Sequence, residues 1–353
     1  MNKLDNILKK EKAIPLDKFI NIALYDKKHG YYMKKNPFGG NGDFITAPMV
    51  SNLFAEMIAL WCISYWHYLK KPKKIVIVEL GSGNASLCLQ IIKIFQKFDE
   101  FYNCLEIKLL EISRKLIKIQ KVKIKNSKVK WISKIEEIKS GPVLLLANEF
   151  FDSLPIKQIH KKNNIYFERF ITVSNKKKLQ FTSKKAGKNL IKKIKKLKLS
   201  NNKNVIEYPI DTIKYLLKIA KIIRRFDGGL LTLDYGYNIN NGGDTLQSVK
   251  KHGYSRIFDD IGNSDITTHV NFRLISDILH ANELKVNKVV TQSEFLQKLG
   301  IKERAIILSN KKTFKEKAQI FYKLKKLLHY SEMGTLFKVL FAQKKNKKFN
   351  LGF

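Results

Sequence analysis

The chain has 353 residues, 44% of them hydrophobic, with 68 Lys and Arg against 30 Asp and Glu, a formal charge of +38. That much apolar material excludes a disordered basic tail protein and suffices for one large or two modest domains. Three widely spaced cysteines, Cys62, Cys88 and Cys104, give neither a zinc pattern nor a disulfide framework, so no metal is expected and a reducing compartment fits.

The first fifteen residues lack both the apolar core of a signal peptide and the Arg/Ser-rich character of a transit peptide, which predicts a protein that stays in a bacterial cytoplasm. The longest apolar stretch, Met57 to Trp66, contains Ser64 and is about half the ~20 residues a membrane span needs. No span is expected. Residues 1–70 read as a helical or lid segment with one Gly-rich loop, 71–345 as the main domain with an insert at about 156–205, and 346–353 as a basic tail.

From residue 74 apolar strand-like runs alternate with helical patterns, the signature of a mostly parallel sheet covered by helices. The predicted elements are strand Lys74–Leu80, helix Ala85–Phe98, strand Leu105–Leu110, helix Ser113 to about Lys123, short strand Val129–Ile132 and fully buried strand Val143–Ala147. Pro155–His160, Tyr166–Val173 and Leu179–Thr182 are short β-like runs between polar turns and read as an antiparallel insert. Helix Thr212–Arg225, strand Leu230–Asp234, helix Phe272–His280, strand Lys285–Val290, helix Ser293–Leu299 and strand Leu336–Ala342 complete the series.

The positive charge is almost all Lys, spread over the chain beside abundant Ile and Asn, as a bias toward AT-rich codons would produce. No RNP, zinc-finger or helix-turn-helix signature accompanies it, so no specific nucleic-acid partner is expected. The densest run, Lys184 to Lys203, interleaves Leu190, Ile194 and Leu197 at helical spacing. It reads as a solvated amphipathic helix.

Two motifs carry chemistry. Val78-Glu79-Leu80-Gly81-Ser82-Gly83 joins a strand to a helix, placing two glycines where the backbone turns tightly and a ligand can approach without a Cβ in the way. A dinucleotide fold would prefer a third glycine at Ser86. Glu111, one strand later, is placed to accept both hydroxyl protons of a ribose, and strand-end Glu79 suits a cation better than a pyrophosphate. Together these favour S-adenosylmethionine as cofactor. The second motif, Ala147-Asn148-Glu149-Phe150-Phe151-Asp152-Ser153-Leu154-Pro155, follows the buried strand, and carboxyl ends of such strands are where open α/β sheets bind ligands. Any helical turn there places Glu149 and Asp152 on one face.

With these motifs the chain resembles the MidA-like class I S-adenosylmethionine-dependent methyltransferases. The resemblance runs from about Leu16 to Val339. It rests, in order, on His29-Gly30-Tyr31-Tyr32, Gly42-Asp43-Phe44-Ile45-Thr46-Ala47-Pro48, the glycine loop, Leu110-Glu111-Ile112-Ser113 and Ala147–Pro155. It continues through Glu168-Arg169, Asp234-Tyr235-Gly236, Thr245-Leu246-Gln247, Asp265 with Thr267-Thr268-His269-Val270, and Phe295-Leu296 before Leu299-Gly300-Ile301. The chain departs from the family pattern at Met49, Ala55, Ser82, Asn84, Ala85 and Asn271, and keeps the first two glycines of the loop.

The resemblance implies a Rossmann-like, seven-stranded, mostly parallel methyltransferase sheet. Mitochondrial members of the family are complex I assembly factors that methylate arginine on the core 49-kDa subunit. The activity it implies is therefore protein-arginine N-methylation, with a respiratory complex I subunit as partner. Arginine keeps its proton at physiological pH, so carboxylates must grip and orient the guanidinium and accept a proton as the C–N bond forms. By position Glu149 and Asp152 are the expected pair, with Asp43 next. The expected cofactor residues are Glu79, Gly81, Gly83, Glu111, Asn148 and Thr46, and the expected substrate residues are His252, Asp265 and His269. A methyltransferase of another acceptor, or a basic interaction protein with a vestigial cofactor site, are the alternatives. The sequence leaves oligomeric state open.

Overall fold

The computed structural model describes residues 6, 10–34, 36–39, 42–43, 46–199, 204–239, 243–251 and 253–353. They fall into two units. The larger comprises Ile45–Phe150, Leu216–Gly236 and Ile275–Phe353, the smaller Met1–Phe44, Phe151–Tyr215 and Tyr237–Leu274.

The larger unit is built on β1 (Ile75–Leu80), β2 (Leu105–Leu110), β3 (Val129–Ile132), β4 (Val143–Asn148), β5 (Gly228–Tyr237), β6 (Leu284–Val286) and β7 (Phe337–Lys344). Their order across the sheet is β6-β7-β5-β4-β1-β2-β3. The run from β5 to β3 is parallel, and β7 inserts antiparallel between β5 and β6. This is the expected Rossmann-like, mostly parallel sheet. β1 and β4 read as unbroken apolar runs because helices cover both faces of a parallel sheet, and every residue of β1 is buried.

The single strand expected at Lys285–Val290 is instead two short pieces, β6 and Val290–Thr291, both paired to β7. Strand order reverses between β1 and β4, so their connections diverge and open a crevice at their carboxyl ends.

Helix Asn52–Tyr68 is capped by the Ser51 hydroxyl, which accepts the Leu53 N–H at 3.3 Å. Its Trp61 and Tyr65 stack, and pack edge-on to Phe341 of β7 and to Phe349. Residues 346–353, expected as a basic tail, are held by this core. The Trp61 indole N–H donates to Leu351 O at 2.9 Å, and Gln343 Nε2 donates to Phe349 O at 2.8 Å. Aromatic residues among the lysines supply the reason.

In the smaller unit, Ile14–Pro15, Ile165–Val173, Lys157–Lys162 and Val205–Tyr208 form an antiparallel sheet in that order, with Leu179–Lys185 added to the second. This is the expected antiparallel insert, extended by Val205–Tyr208. Helix Leu16–Tyr25 buries Leu16, Phe19, Ile20, Ala23 and Leu24 at helical spacing. The basic run holds a shorter helix than expected, Lys188–Lys196, with Ile194 buried. Lys184 and Lys185 belong to a strand, and 200–203 lie outside the described residues. A second, three-stranded sheet sets Gln247–Lys250 between Gly253–Ser255 and Asp265–Thr267. Among the described residues no helix is long and apolar enough to cross a membrane, and no cluster of His, Cys, Asp or Glu could hold a metal ion.

Candidate functional site

The carboxyl edge of the large sheet gathers the residues expected to bind the cofactor. The chain leaves β1 through Gly81 and Gly83, at φ +66° and +52°, where a side chain would be strained. A Cβ on Gly81 would also meet Phe150 Cδ2 at 2.8 Å. Gln120, fully buried on helix Arg114–Lys123, donates to Gly83 O at 2.8 Å and to Glu111 Oε2 at 3.3 Å. The loop after β1 is thereby tied to the carboxylate after β2. Glu111 Oε1 accepts the N–H groups of Ile112 and Ser113, both at 2.9 Å. Burial nevertheless pushes Glu111 up to about 7.

Glu79 is 5% exposed, and its Oε2 has no hydrogen-bond partner among the described residues. Burial, reinforced by the Glu111 carboxylate, pushes it up to about 8. The Ser82 hydroxyl, inside the same loop, is likewise buried without a partner. A buried carboxylate oxygen lacking a donor costs free energy that a cationic ligand offsets. An ammonium-bearing, ribose-bearing cofactor supplies both the donor for Glu79 and the hydroxyls for Glu111. The residues present therefore fit S-adenosylmethionine.

Glu149 follows Asn148 at the end of β4, beside β1 in the sheet. Its N–H donates to Leu233 O at 2.9 Å, and its Oε1 accepts from Ala47 N at 3.4 Å and Asn148 Nδ2 at 3.3 Å. Thr46 is the residue before that Ala47 turn and makes no side-chain cap bond. Glu149 sits at φ +50°, a left-handed conformation costing a non-glycine residue on the order of 1–3 kcal/mol. The helical turn expected to align Glu149 with Asp152 is absent, because this left-handed residue turns the chain out of the strand. Glu149 falls in the larger unit and Asp152 in the smaller.

In the smaller unit Asp43, Asp152 and Asp265 are buried at 5%, 7% and 2% exposure. Asp43 Oδ2 accepts the Tyr31 hydroxyl at 2.7 Å, and its Oδ1 accepts the Lys251 N–H at 2.8 Å. Asp265 Oδ2 accepts the Tyr32 hydroxyl at 2.9 Å, and its Oδ1 accepts its own chain's Ile266 N–H at 2.9 Å. Burial first, then the Asp152 charge, pushes Asp265 up to about 8, with Asp43 also contributing. Burial likewise raises the hydroxyls of Tyr31 and Tyr32, so both remain neutral donors. Asp43 and Asp152 thus both lie within electrostatic reach of Asp265, and Asp43 and Asp265 are aimed by adjacent tyrosines. Asp152 O accepts the Thr268 N–H at 3.1 Å.

His269 is half-buried, and its backbone N–H donates to Thr245 Oγ1 at 3.0 Å. His252 lies outside the described residues. Sequence reasoning gave no role to Tyr31, Tyr32 or Gln120. The tyrosines stand in the quoted His-Gly-Tyr-Tyr motif, a usable signal, whereas nothing around Gln120 marks it.

Comparison with known proteins agrees on the fold and the cofactor. A family model described as S-adenosyl-L-methionine-dependent methyltransferase matches residues 57–290, more than half of the chain. "Protein arginine methyltransferase NDUFAF7, mitochondrial" of Xenopus laevis is 26% identical over 366 residues, covering 96% of this chain and 83% of that protein. The Homo sapiens protein of that name is 24% identical, covering 86% and 74%. A methyl transferase from Burkholderia thailandensis, solved bound to S-adenosyl-homocysteine, has the same fold, with a TM-score of 0.87, 20% identity and coverage of 99% and 94%. The curated relatives are named mitochondrial, which overturns the expectation of a cytoplasmic location. The chain belongs to this family of S-adenosylmethionine-dependent methyltransferases.

Proposed function

We propose that the protein is a protein-arginine N-methyltransferase that modifies the 49-kDa core subunit of respiratory complex I and aids its assembly. The observation carrying this reading is that relatives named protein arginine methyltransferase align with nearly the whole chain. The buried carboxylates support it chemically. A guanidinium is planar, keeps its charge at any physiological pH and presents paired N–H donors, so its recognition calls for carboxylates held in fixed orientation.

In this reading Glu79 holds the cofactor's ammonium, Glu111 its ribose, and Gly81 and Gly83 let the backbone lie against it, with Asn148 and Thr46 beside them. The cofactor supplies an electrophilic methyl group. Transfer is an in-line displacement: the C–N bond forms as the C–S bond breaks, and the guanidinium loses a proton. Glu149, Asp152 and Asp43 are the groups we assign to gripping the guanidinium and taking that proton. The tyrosine hydroxyls keep Asp43 and Asp265 oriented while the acceptor docks.

The test is mass spectrometry of the 49-kDa subunit from cells with and without the protein, paired with Glu149→Gln and Asp152→Asn enzymes. The expected result is a methylarginine that disappears with the protein, and loss of transfer in either variant at normal cofactor affinity. An unchanged subunit would redirect the search to another acceptor, and two fully active variants would remove the assigned pair.

A further inference from the structure

Thr245-Leu246-Gln247 and Glu168-Arg169 carry part of the sequence resemblance but take no part in the reading above. In the smaller unit Thr245 and Arg169 belong to one polar chain built around the buried Gln158. Glu207, on strand Val205–Tyr208, holds Thr245 by two bonds: Oε1 accepts the Thr245 N–H at 2.9 Å, and Oε2 accepts its hydroxyl at 2.7 Å. Gln158, wholly buried on the neighbouring strand, donates to Glu207 Oε1 at 2.8 Å and to Asp244 Oδ1 at 2.8 Å. Arg169 closes the chain, bonded to Gln158 and paired with Asp244 at 2.9 Å. The Thr245 hydroxyl has one more contact. Having donated to Glu207, its oxygen accepts the His269 N–H at 3.0 Å.

What Thr245 fixes follows from the three-stranded sheet. Thr245 begins the approach to strand Gln247–Lys250, which pairs Val249 with Asp265, Ser248 with Ile266 and Gln247 with Thr267. Just beyond its far end, the Lys251 N–H holds Asp43. At its near end, His269 hangs from Thr245, and the adjoining Thr268 N–H holds Asp152 O. Asp43, Asp152 and Asp265 are therefore all referenced to one strand, and Glu207 pins that strand's leading end to the five-stranded sheet. The grip on half-buried Thr245 is firm because releasing it gives up two hydrogen bonds to one carboxylate at once.

The geometry points to Thr245, gripped by Glu207, as a positioning residue that sets the Asp43–Asp152–Asp265 carboxylates for the acceptor. This rests on the proposal that Asp43 and Asp152 serve the guanidinium. Thr245→Val keeps the shape of the side chain and removes both hydroxyl bonds. It is expected to lower kcat for methylation of the 49-kDa subunit about tenfold, leave S-adenosylmethionine affinity by calorimetry unchanged, and speed amide hydrogen exchange of residues 265–269. Thr245→Ser restores the hydroxyl and is expected to return both kcat and exchange to the native values. Native kcat and exchange in Thr245→Val would overturn the assignment. Should that variant fold poorly, exchange on the native protein still decides: a His269 amide exchanging as fast as an open loop refutes the pin. Asp152→Asn in the same assay separates the two readings. If it is fully active, the carboxylates have been misassigned; if it is inactive while Thr245→Val is normal, only the pin falls.

Discussion

The carboxylates of the two units are equally buried but held in different ways. Glu111, at the sheet edge, takes its donors from Ile112 and Ser113, the next two residues of the chain, and from a glutamine nine positions on. Asp43 and Asp265, in the smaller unit, add donors from afar: Lys251 lies 208 positions from Asp43, and Tyr32 lies 233 positions from Asp265, which also takes the neighbouring Ile266 N–H. The first arrangement is an outcome of local chain geometry and survives wherever a parallel strand ends in this loop. The second exists only once distant segments have been assembled. Local anchoring suits a site for one invariant cofactor, and long-range anchoring suits a surface shaped for a particular acceptor.

The strongest way to break this contrast is Glu111→Ala, which removes the ribose carboxylate and leaves its amide donors open. We expect S-adenosylmethionine to bind at least about 100-fold more weakly by calorimetry, on a loss of ~3 kcal/mol. Affinity near native would cancel the cofactor assignment.

A pH series sharpens it. Glu79 is raised to about 8 and Asp265 to about 8 in the folded protein, above their ordinary values of 4.5 and 3.8. Between those limits the folded chain binds more protons than the unfolded one, so stability declines as pH climbs toward 8. Each group contributes a slope on the order of 1 kcal/mol per pH unit. Thermal melts from pH 5 to 8 are expected to flatten in Glu79→Gln and in Asp265→Asn alike, but only the first difference shrinks when S-adenosylmethionine is present. Equal responses to cofactor in both variants would erase the division of labour.

The smallest expected effect is Tyr32→Phe. It deletes one donor to Asp265 and should reduce methyl transfer a few-fold, on about 1 kcal/mol, with cofactor affinity unchanged. A matching fall in cofactor affinity would place Tyr32 in the wrong region.

The same contrast explains what could be read from the amino acids. Leu105–Leu110 and Val129–Ile132 were legible to the residue, because each alternates or concentrates apolar residues between polar turns, a local pattern that needs no knowledge of neighbours. Glu111 was legible because strand, glycine loop and carboxylate stand in fixed order. Glu149 was legible as a strand-end carboxylate but not as a left-handed residue, since its φ of +50° is stabilised by Leu233 and Ala47, far along the chain. The pairing of Tyr32 with Asp265 was hidden for that reason, as were Glu207 and the docking of Phe349 against Trp61. The Lys285–Val290 pattern failed because valines stand on both sides of Asn287-Lys288, and pattern alone does not show where pairing lapses.

The placement of β5 has a kinetic consequence. Leu230 lies between Leu145, its parallel partner, and Ala342, its antiparallel one. Neither edge of this strand is satisfied by anything nearby in the chain, so two large loops must close before the middle of the sheet gains its hydrogen bonds. Such contacts are costly to form early, and the refolding rate should be governed by them, with mutations that weaken the β4–β5 or β5–β7 pairing slowing refolding.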